Sequence, residues 1–82
     1  MTNDHVYQTL TDILSRASTV PATDIRPETD IETDLGIDSL TMLEVAVQAE
    51  DALDIRVDDG ALAGLRTVKD AADYLRDRTA VR

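Results

Sequence analysis

The sequence predicts an all-α protein, a four-helix bundle with three long helices, a short third helix and a long first loop. Three observations favour this fold. Apolar residues recur at helical spacing in three segments, no segment alternates apolar and polar residues as a strand does, and both prolines fall between the first two helical segments. Because 82 residues have room for one hydrophobic core, we expect a single domain over residues 1–82.

The first helix is predicted from about Asn3 to Ala17. Its apolar residues share one helical stripe and comprise Val6, Leu10, Ile13, Leu14 and Ala17. Thr2, Asn3 or Asp4 can cap its start, because each has a side-chain oxygen that accepts a bond from a free helical N–H.

A long connection follows over residues 18–38. It contains Pro21 and Pro27, and each proline removes a backbone donor and disfavours helix at the preceding residue. Loops of this length in a small domain are often functional. We expect four apolar side chains to hold this loop against the core, namely Ile25, Ile31, Leu35 and Ile37.

The second helix is predicted from Asp38–Ser39 to about Leu53, and it has two apolar faces. One face is an ordinary core stripe that comprises Met42, Val45, Ala46, Ala49 and Leu53. The other face combines apolar and acidic residues at helical spacing, and comprises Leu40, Leu43, Glu44, Val47, Glu50 and Asp51. It predicts a recognition surface, on which apolar contacts give affinity and charges guide the approach of a partner. The alternative is that Leu40 and Leu43 are additional core.

A short helical turn is predicted at Asp59–Leu65, with Leu62 and Leu65 pointing inward. Gly60 and Gly64 weaken it. The final helix is predicted to begin at Thr67, because Thr67-Val68-Lys69-Asp70 has the form of a capping box with Asp in place of the usual Glu or Gln. Its buried stripe comprises Val68, Ala71, Ala72 and Leu75, and residues 79–82 are expected to fray.

The net charge of −9 is concentrated in the middle of the chain. Residues 30–59 contain ten acidic residues and one basic residue, Arg56, whereas the rest of the chain has equal numbers of each. An acidic field repels nucleic acid and attracts basic protein surfaces. A solvated surface that keeps the protein soluble is the simpler interpretation, but confinement to one segment favours a site for a basic protein partner and argues against nucleic acid.

The composition excludes several other classes of protein. There is no Cys and one His, so we expect no disulfide and no site built on thiolates or several histidines. No apolar run approaches the roughly 20 residues of a membrane span, and the N-terminus lacks the pattern of a signal peptide. We therefore expect a cytoplasmic monomer that does not bind membranes.

The sequence does not fit a calcium-binding loop or the active site of an enzyme with a serine nucleophile. The segment from Asp30 has acids at positions one, three, five and nine of a calcium loop, but Leu35 and Thr41 occupy the positions that require Gly and Glu. We therefore predict no metal site. A nucleophilic serine would need a base, and the lone His5 lies on another helix. We therefore predict that the protein is not an enzyme.

The most informative stretch is Asp34-Leu35-Gly36-Ile37-Asp38-Ser39-Leu40. Gly36 allows a tight backbone path, and Asp38 can cap the second helix. Ser39 then lies in the first helical turn, where free N–H groups favour an anion such as a phosphodiester attached to its hydroxyl. By itself, the Asp-Ser-Leu tripeptide is weak evidence, and the interpretation of Ser39 as only a helix cap would be favoured.

From about Val6 to Leu75 the chain resembles the acyl carrier protein family. The stretch with Ser39 in the attachment position is the family's hallmark, Leu43-Glu44-Val45 and Glu50-Asp51 fit its second helix, and residues 65–75 fit its closing pattern. The Asp-Ser-Leu core is similar to acyl carriers rather than peptidyl carriers. The chain departs from the family after Val57, where Asp58-Asp59-Gly60-Ala61 replaces the usual proline and acidic residues.

The resemblance implies a helical bundle of acyl-carrier type. Ser39 would receive 4′-phosphopantetheine from coenzyme A, through a phosphopantetheinyl transferase and magnesium, with Asp38 beside the metal. The thiol of the arm would carry acyl groups as thioesters. The recognition surface of Leu40, Leu43, Glu44, Val47, Glu50 and Asp51 would dock basic patches of acyltransferase, ketosynthase and other synthase enzymes. A pocket for the acyl chain would comprise Val45, Ala49, Leu53, Leu62 and Leu65.

The pathway remains open at this point. The fit of the second and fourth helices favours fatty-acid biosynthesis, whereas the altered third-helix entry and the small residues Ala46 and Ala49 favour a polyketide or other secondary-metabolite carrier. A more distant alternative is an acidic interaction module that is never modified.

Overall fold

The computed structural model describes residues 5–80 of the chain, and these residues form an all-helical fold. The three α-helices are α1 (His5–Ala17), α2 (Ser39–Leu53) and α3 (Val68–Ala80). A 3₁₀ turn lies at Ala22–Asp24 and a 3₁₀ helix at Asp59–Gly64. The predicted fold class is confirmed, and the short third helix is this 3₁₀ helix. The proposed caps Thr2, Asn3 and Asp4 lie outside the described residues.

The core forms where α1 packs against α2 and α3. Its largest fully buried side chains are Leu10, Leu14, Val45 and Val68, which come from all three helices. The predicted stripe of α3 is confirmed, since Val68, Ala71, Ala72 and Leu75 are all buried. The stripe of α1 is confirmed at Leu10, Ile13 and Leu14, with Val6 and Ala17 partly buried at its edges. Helical spacing therefore identified the packing faces correctly.

The long first loop is anchored by its side chains and by its backbone. Ile25, Ile31, Leu35 and Ile37 are buried, as predicted. The Ile31 N–H donates to the carbonyl of Arg66 at 2.9 Å, and the Val68 N–H donates to the carbonyl of Thr29 at 2.9 Å. These bonds flank an isolated bridge between Asp30 and Thr67, so the loop is fastened to the start of α3.

The two ends of α3 are held by side chains. The capping box is confirmed, because the Asp70 N–H donates to the Thr67 hydroxyl at 3.1 Å and the Thr67 N–H donates to Asp70 Oδ2 at 3.2 Å. The predicted fraying of residues 79–82 stays a prediction, and α3 extends to Ala80. The Arg78 guanidinium stacks over the Tyr74 ring and donates to the carbonyl of Arg56 at 3.1 Å, which holds the last turn in place. Residues 81–82 lie outside the described part of the chain.

The linker between α2 and the 3₁₀ helix is fixed by two side chains. Helix α2 ends at Leu53 and is capped by Asp54, which has the left-handed conformation with φ of 56°. Beyond it, the Val57 N–H donates to Glu50 Oε2 at 2.7 Å, and the Asp58 N–H donates to the Tyr74 hydroxyl at 2.9 Å. These bonds determine where the 3₁₀ helix lies beside α2.

Candidate functional site

Ser39 is the first residue of α2, and its side chain is exposed. Asp38 precedes the helix in extended conformation, and its Oδ1 accepts the Thr41 N–H at 2.8 Å. The Asp38 carbonyl accepts the Met42 N–H at 2.8 Å and begins the helical hydrogen bonds. Asp38 is therefore the cap, as predicted, and among residues 5–80 no hydrogen bond engages the Ser39 hydroxyl. The alternative that Ser39 is itself the cap is wrong.

The turn before α2 depends on Gly36. Its φ of +68° lies in the left-handed region, and a Cβ at this position would meet nothing within 4 Å. The Gly36 N–H donates to the carbonyl of Glu32 at 3.0 Å, and the Ile37 N–H donates to the carbonyl of Ile31 at 3.2 Å. The glycine is thus required for backbone conformation rather than for space, and the turn directs the chain into α2.

The carboxyl group next to Ser39 is held in its ionised form. Hydrogen bonds from Thr41, first from its backbone N–H and then from its side chain, lower the pKa of Asp38 from its ordinary value of 3.8. An ionised carboxylate is a ligand that magnesium prefers. Within residues 5–80, no cluster of three or more His, Asp or Glu side chains is arranged to hold a metal ion. Among these residues Asp38 is therefore an ionised carboxylate outside any such cluster.

The second face of α2 is exposed. Leu40 is 67% exposed, Val47 62% and Leu43 41%, so the interpretation of these residues as additional core is wrong. On the opposite face Val45, Ala46, Ala49 and Leu53 are buried and Met42 is half-buried. The helix therefore has the two faces that its sequence indicated, and one of them leaves an apolar patch in contact with water.

The three acids near this patch differ in their surroundings. Glu44 and Asp51 are exposed, and neither has a hydrogen bond or ion pair among the described residues. Glu50 is half-buried and is engaged by the Val57 N–H through one carboxylate oxygen. The sequence placed all three on one recognition surface. The structure gives Glu50 a supporting role in the linker as well, which helical spacing alone does not indicate.

A cleft of about 340 Å³ opens beside Ser39. The first loop, the N-terminal half of α2 and the 3₁₀ helix with the residues after it form its walls. Its apolar lining comprises Ile31, Ile37, Met42, Leu43, Leu62, Ala63 and Leu65. Its polar rim comprises Asp30, Glu32, Asp38, Ser39, Asp59 and Arg66. The sequence did not indicate Asp30, Ile31 or Arg66 at this site, because only the folding of the first loop and of the segment before α3 brings them to the cleft that Ser39 also lines.

A second, much smaller void of about 20 Å³ lies deeper between the helices. Of the predicted pocket residues, Leu62 and Leu65 line both the cleft and the void, and Val45 and Ala49 line the void. Leu53 lines neither and is buried elsewhere in the core. It follows Ser39 by fourteen residues, which places it about 21 Å further along the helix axis.

These features fit a covalently attached arm. An exposed hydroxyl at a helix start can bear a phosphodiester, whose charge interacts favourably with the positive end of α2. The adjacent cleft can take an apolar group carried at the other end of such an arm. A small helical bundle with an exposed serine, an acidic two-faced helix and an apolar cleft defines the class of carrier domains.

Comparison with known proteins identifies the family. Residues 8–75 match a family model described as a phosphopantetheine attachment site. The acyl carrier protein of Acidothermus cellulolyticus is 34% identical over 79 residues, which are 96% of this chain and 94% of that protein. The meromycolate extension acyl carrier protein of Mycobacterium leprae is 37% identical over 76 residues, which are 93% of this chain and 66% of that protein.

A solved structure supports the same conclusion. The acyl carrier protein of Enterococcus faecalis superposes with a TM-score of 0.78 at 27% identity, covering 95% of this chain and 99% of the other. The chain belongs to the acyl carrier protein family.

Membership of this family confirms three predictions, which concern the absence of enzymatic activity, the prosthetic group and the general kinds of partner. Acyl carrier proteins are carriers rather than catalysts, and their prosthetic group is a covalent 4′-phosphopantetheine. They are modified by a phosphopantetheinyl transferase and work with synthase enzymes. Among residues 5–80, no helix has both the length and the apolar character needed to cross a membrane.

Proposed function

We propose that Ser39 is the attachment residue, and that the protein presents acyl thioesters to the enzymes of fatty-acid biosynthesis. The observation that carries this proposal is the exposed, unbonded Ser39 hydroxyl at the start of α2, directly on the rim of an apolar cleft. When bound, the phosphopantetheine arm supplies the thiol that forms thioesters.

The residues around Ser39 explain how the modification occurs. The Ser39 oxygen forms a bond to a phosphorus of coenzyme A, loses its proton to a base of the transferase, and displaces the nucleotide part of coenzyme A. The carboxylate of Asp38 would lie beside the magnesium ion that accompanies coenzyme A in the transferase complex, and could supply it with one oxygen ligand. A single carboxylate fits a metal shared with the transferase better than a resident one.

The exposed face of α2 is the proposed docking surface for the transferase and the synthase enzymes. Leu40, Leu43 and Val47 provide an apolar patch, and Glu44 and Asp51 are free to pair with basic side chains of a partner. Glu50 belongs to the same surface through the carboxylate edge that its bond to Val57 leaves open. Apolar contacts at the centre and charges at the rim are typical of transient protein interfaces.

The names of the relatives favour a role with growing acyl chains. They include an acyl carrier protein and a protein named for meromycolate extension. The cleft beside Ser39 is large and mostly apolar, which suits a hydrocarbon chain. These two observations together support fatty-acid biosynthesis over a polyketide pathway.

Incubation with coenzyme A, magnesium and a promiscuous phosphopantetheinyl transferase tests the attachment residue. Intact mass spectrometry should detect the gain of one phosphopantetheine in the wild type and in Ser18→Ala, but none in Ser39→Ala. Ser18 is a suitable control because its hydroxyl donates to the Leu14 carbonyl at 2.8 Å and is not available. An unmodified wild type, or a gain that persists in Ser39→Ala, would reject the proposal.

A further inference from the structure

We infer that the Met42 side chain is a gate between the cleft and the deeper void, and that it determines how long an acyl chain this protein can shelter. The inference rests on the proposed function, since it concerns the cargo carried from Ser39. It assigns to one residue a selection of chain length that neither the fold nor the family membership specifies.

The two cavities share part of their lining. Three residues border both of them, namely Met42, Leu62 and Leu65. These side chains therefore form the partition between a cleft of about 340 Å³ and a void of about 20 Å³. Any cargo that reaches the void from Ser39 must displace at least one of them.

Met42 is the member of this partition that moves most easily. Its backbone is fixed, because its N–H donates to the carbonyl of Asp38 at 2.8 Å in the first turn of α2. Its side chain is half-buried, unbranched and has three rotatable bonds, so it can swing aside without a change in the backbone. Leu62 and Leu65 are branched and have fewer rotatable bonds, so they offer a narrower range of positions.

Three alanines border the void beyond Met42, together with larger apolar side chains such as Leu10 and Leu75. Ala46 and Ala49 follow Met42 at helical spacing on the same face of α2, and Ala71 faces them from α3. From Met42 to Ala49 this face extends about 10 Å along the helix axis. A chain that passes Met42 has most room on the side that these alanines border, because their side chains are the shortest in the lining.

This arrangement predicts two regimes of chain length. Short straight chains fill the cleft while Met42 keeps its position. Longer chains bury no further methylene groups until Met42 moves. Once it has moved, they bury more as they extend past the alanines. Burial of each additional methylene favours the sheltered state by about fourfold. Protection of the cargo should therefore rise with length, reach a plateau when the cleft is full, and rise again.

The experiment uses the phosphopantetheine form of the full chain, loaded with straight-chain acyl groups from butanoyl to palmitoyl. The rate at which hydroxylamine cleaves each thioester reports how well the cargo is sheltered. In Met42→Ala the plateau should disappear, with about fourfold slower cleavage per methylene across the whole series. In Met42→Phe the plateau should begin at shorter chains. Circular dichroism establishes that each variant is folded.

Val57→Ala is the matched control. Val57 lines the void but not the cleft, so its truncation enlarges the void without opening the partition. The plateau should begin at the same length as in the wild type. If Met42→Ala does not fold, Met42→Leu serves in its place, and its plateau should extend to longer chains because leucine has fewer rotatable bonds than methionine and moves aside less readily.

An identical dependence on chain length in the wild type and in the Met42 variants would overturn the inference. Cleavage rates that do not change with length in any protein would overturn it too. Failure of the proposed function gives a different result, because mass spectrometry would then detect no arm on Ser39 before any acyl group is loaded.

Discussion

Asp38 connects the stability of α2 to the ionisation of a single carboxyl group. Its pKa is lowered mainly by the backbone N–H of Thr41, which its carboxylate accepts as the helix cap. Because the pKa is lowered in the folded protein, the stability that the ionised Asp38 cap contributes is fully present when the pH is above the ordinary pKa of 3.8. It is lost as the pH falls through the lowered pKa, because protonation weakens the cap.

We therefore expect Asp38→Asn to lose less stability than the wild type in acid. Asparagine keeps an oxygen that can cap the helix but does not titrate. Thermal denaturation followed by circular dichroism between about pH 2 and pH 6 measures this. The control is Asp12→Asn on α1, since among the described residues the Asp12 side chain accepts no hydrogen bond. The prediction would be contradicted if the melting temperatures of the wild type and of Asp38→Asn fell in parallel with decreasing pH.

Gly36 stabilises the turn before α2 through its backbone conformation alone. At φ of +68° an alanine has room for its Cβ but is strained, so Gly36→Ala should cost about 1–2 kcal/mol of unfolding free energy. The control is Gly64→Ala, because Gly64 has no positive φ and an added Cβ there also meets nothing within 4 Å. Urea denaturation of both variants measures the difference. Equal stabilities would show that the turn tolerates a side chain.

Helix α2 shows at the scale of an element how one sequence can serve both core and surface. Val45 is 2% exposed and Val47 is 62% exposed, although both are valines separated by one residue. The same substitution at the two positions therefore separates stability from partner contact.

Val45→Ala should lower the free energy of unfolding by about 2 kcal/mol, because it removes buried methyl groups and leaves a cavity. Val47→Ala should change it by less than about 0.5 kcal/mol, as is usual for an exposed site. Val47→Ala should instead slow modification by the transferase, because Val47 belongs to the proposed docking surface. Urea denaturation and the initial rate of mass gain measure the two effects. A large loss of stability in Val47→Ala would show that this residue is part of the core.

The acids of α2 should guide partners through long-range attraction. Reversal of charge in Glu44→Lys or Asp51→Lys should slow modification strongly at low salt and less at high salt, since salt screens the attraction. Asp12→Lys on α1 controls for net charge, because Asp12 is exposed but lies outside the segment of concentrated acids. The rate of phosphopantetheine transfer, measured over a range of sodium chloride, tests this. Slowing by the same factor at every salt concentration would argue against steering.

The whole molecule carries its net charge of −9 on one segment, so self-repulsion opposes folding. Among the described residues, the close ion pairs include Lys69 with Asp73 at 2.8 Å and Arg66 with Asp30 at 3.7 Å, and of these two the second involves an acid of residues 30–59. The Lys69–Asp73 pair is exposed, and Arg66 is exposed although Asp30 is half-buried, so each pair contributes little to stability. The repulsion within residues 30–59 should therefore dominate the response of the protein to salt.

We expect sodium chloride to raise the melting temperature by several degrees, because screening reduces this repulsion more than it weakens the exposed pairs. The double variant Glu44→Gln, Asp51→Asn should have a smaller response, since it removes two unpaired charges. Differential scanning calorimetry at increasing salt measures both. A melting temperature that falls with salt in the wild type would indicate that the ion pairs outweigh the repulsion.

Most of the fold could be predicted because it depends on local patterns. The stripes of α1 and α3, the capping box at Thr67 and the cap at Asp38 all follow from residues a few positions apart. The bridge between Asp30 and Thr67 and the 3₁₀ turn Ala22–Asp24 were not predicted. The bridge depends on contacts between residues far apart in the sequence, which no local pattern records.

The site divides in the same way. The sequence alone determined that Ser39 begins a helix, that Gly36 shapes the turn before it, and that α2 has a second apolar face, because helical spacing and backbone conformation fix these features. Only the tertiary structure decided that this second face is exposed and that Glu50 bonds to the linker. It also placed Met42 between the cleft and the void. These outcomes depend on which segments pack beside α2, and packing is a property of the whole chain.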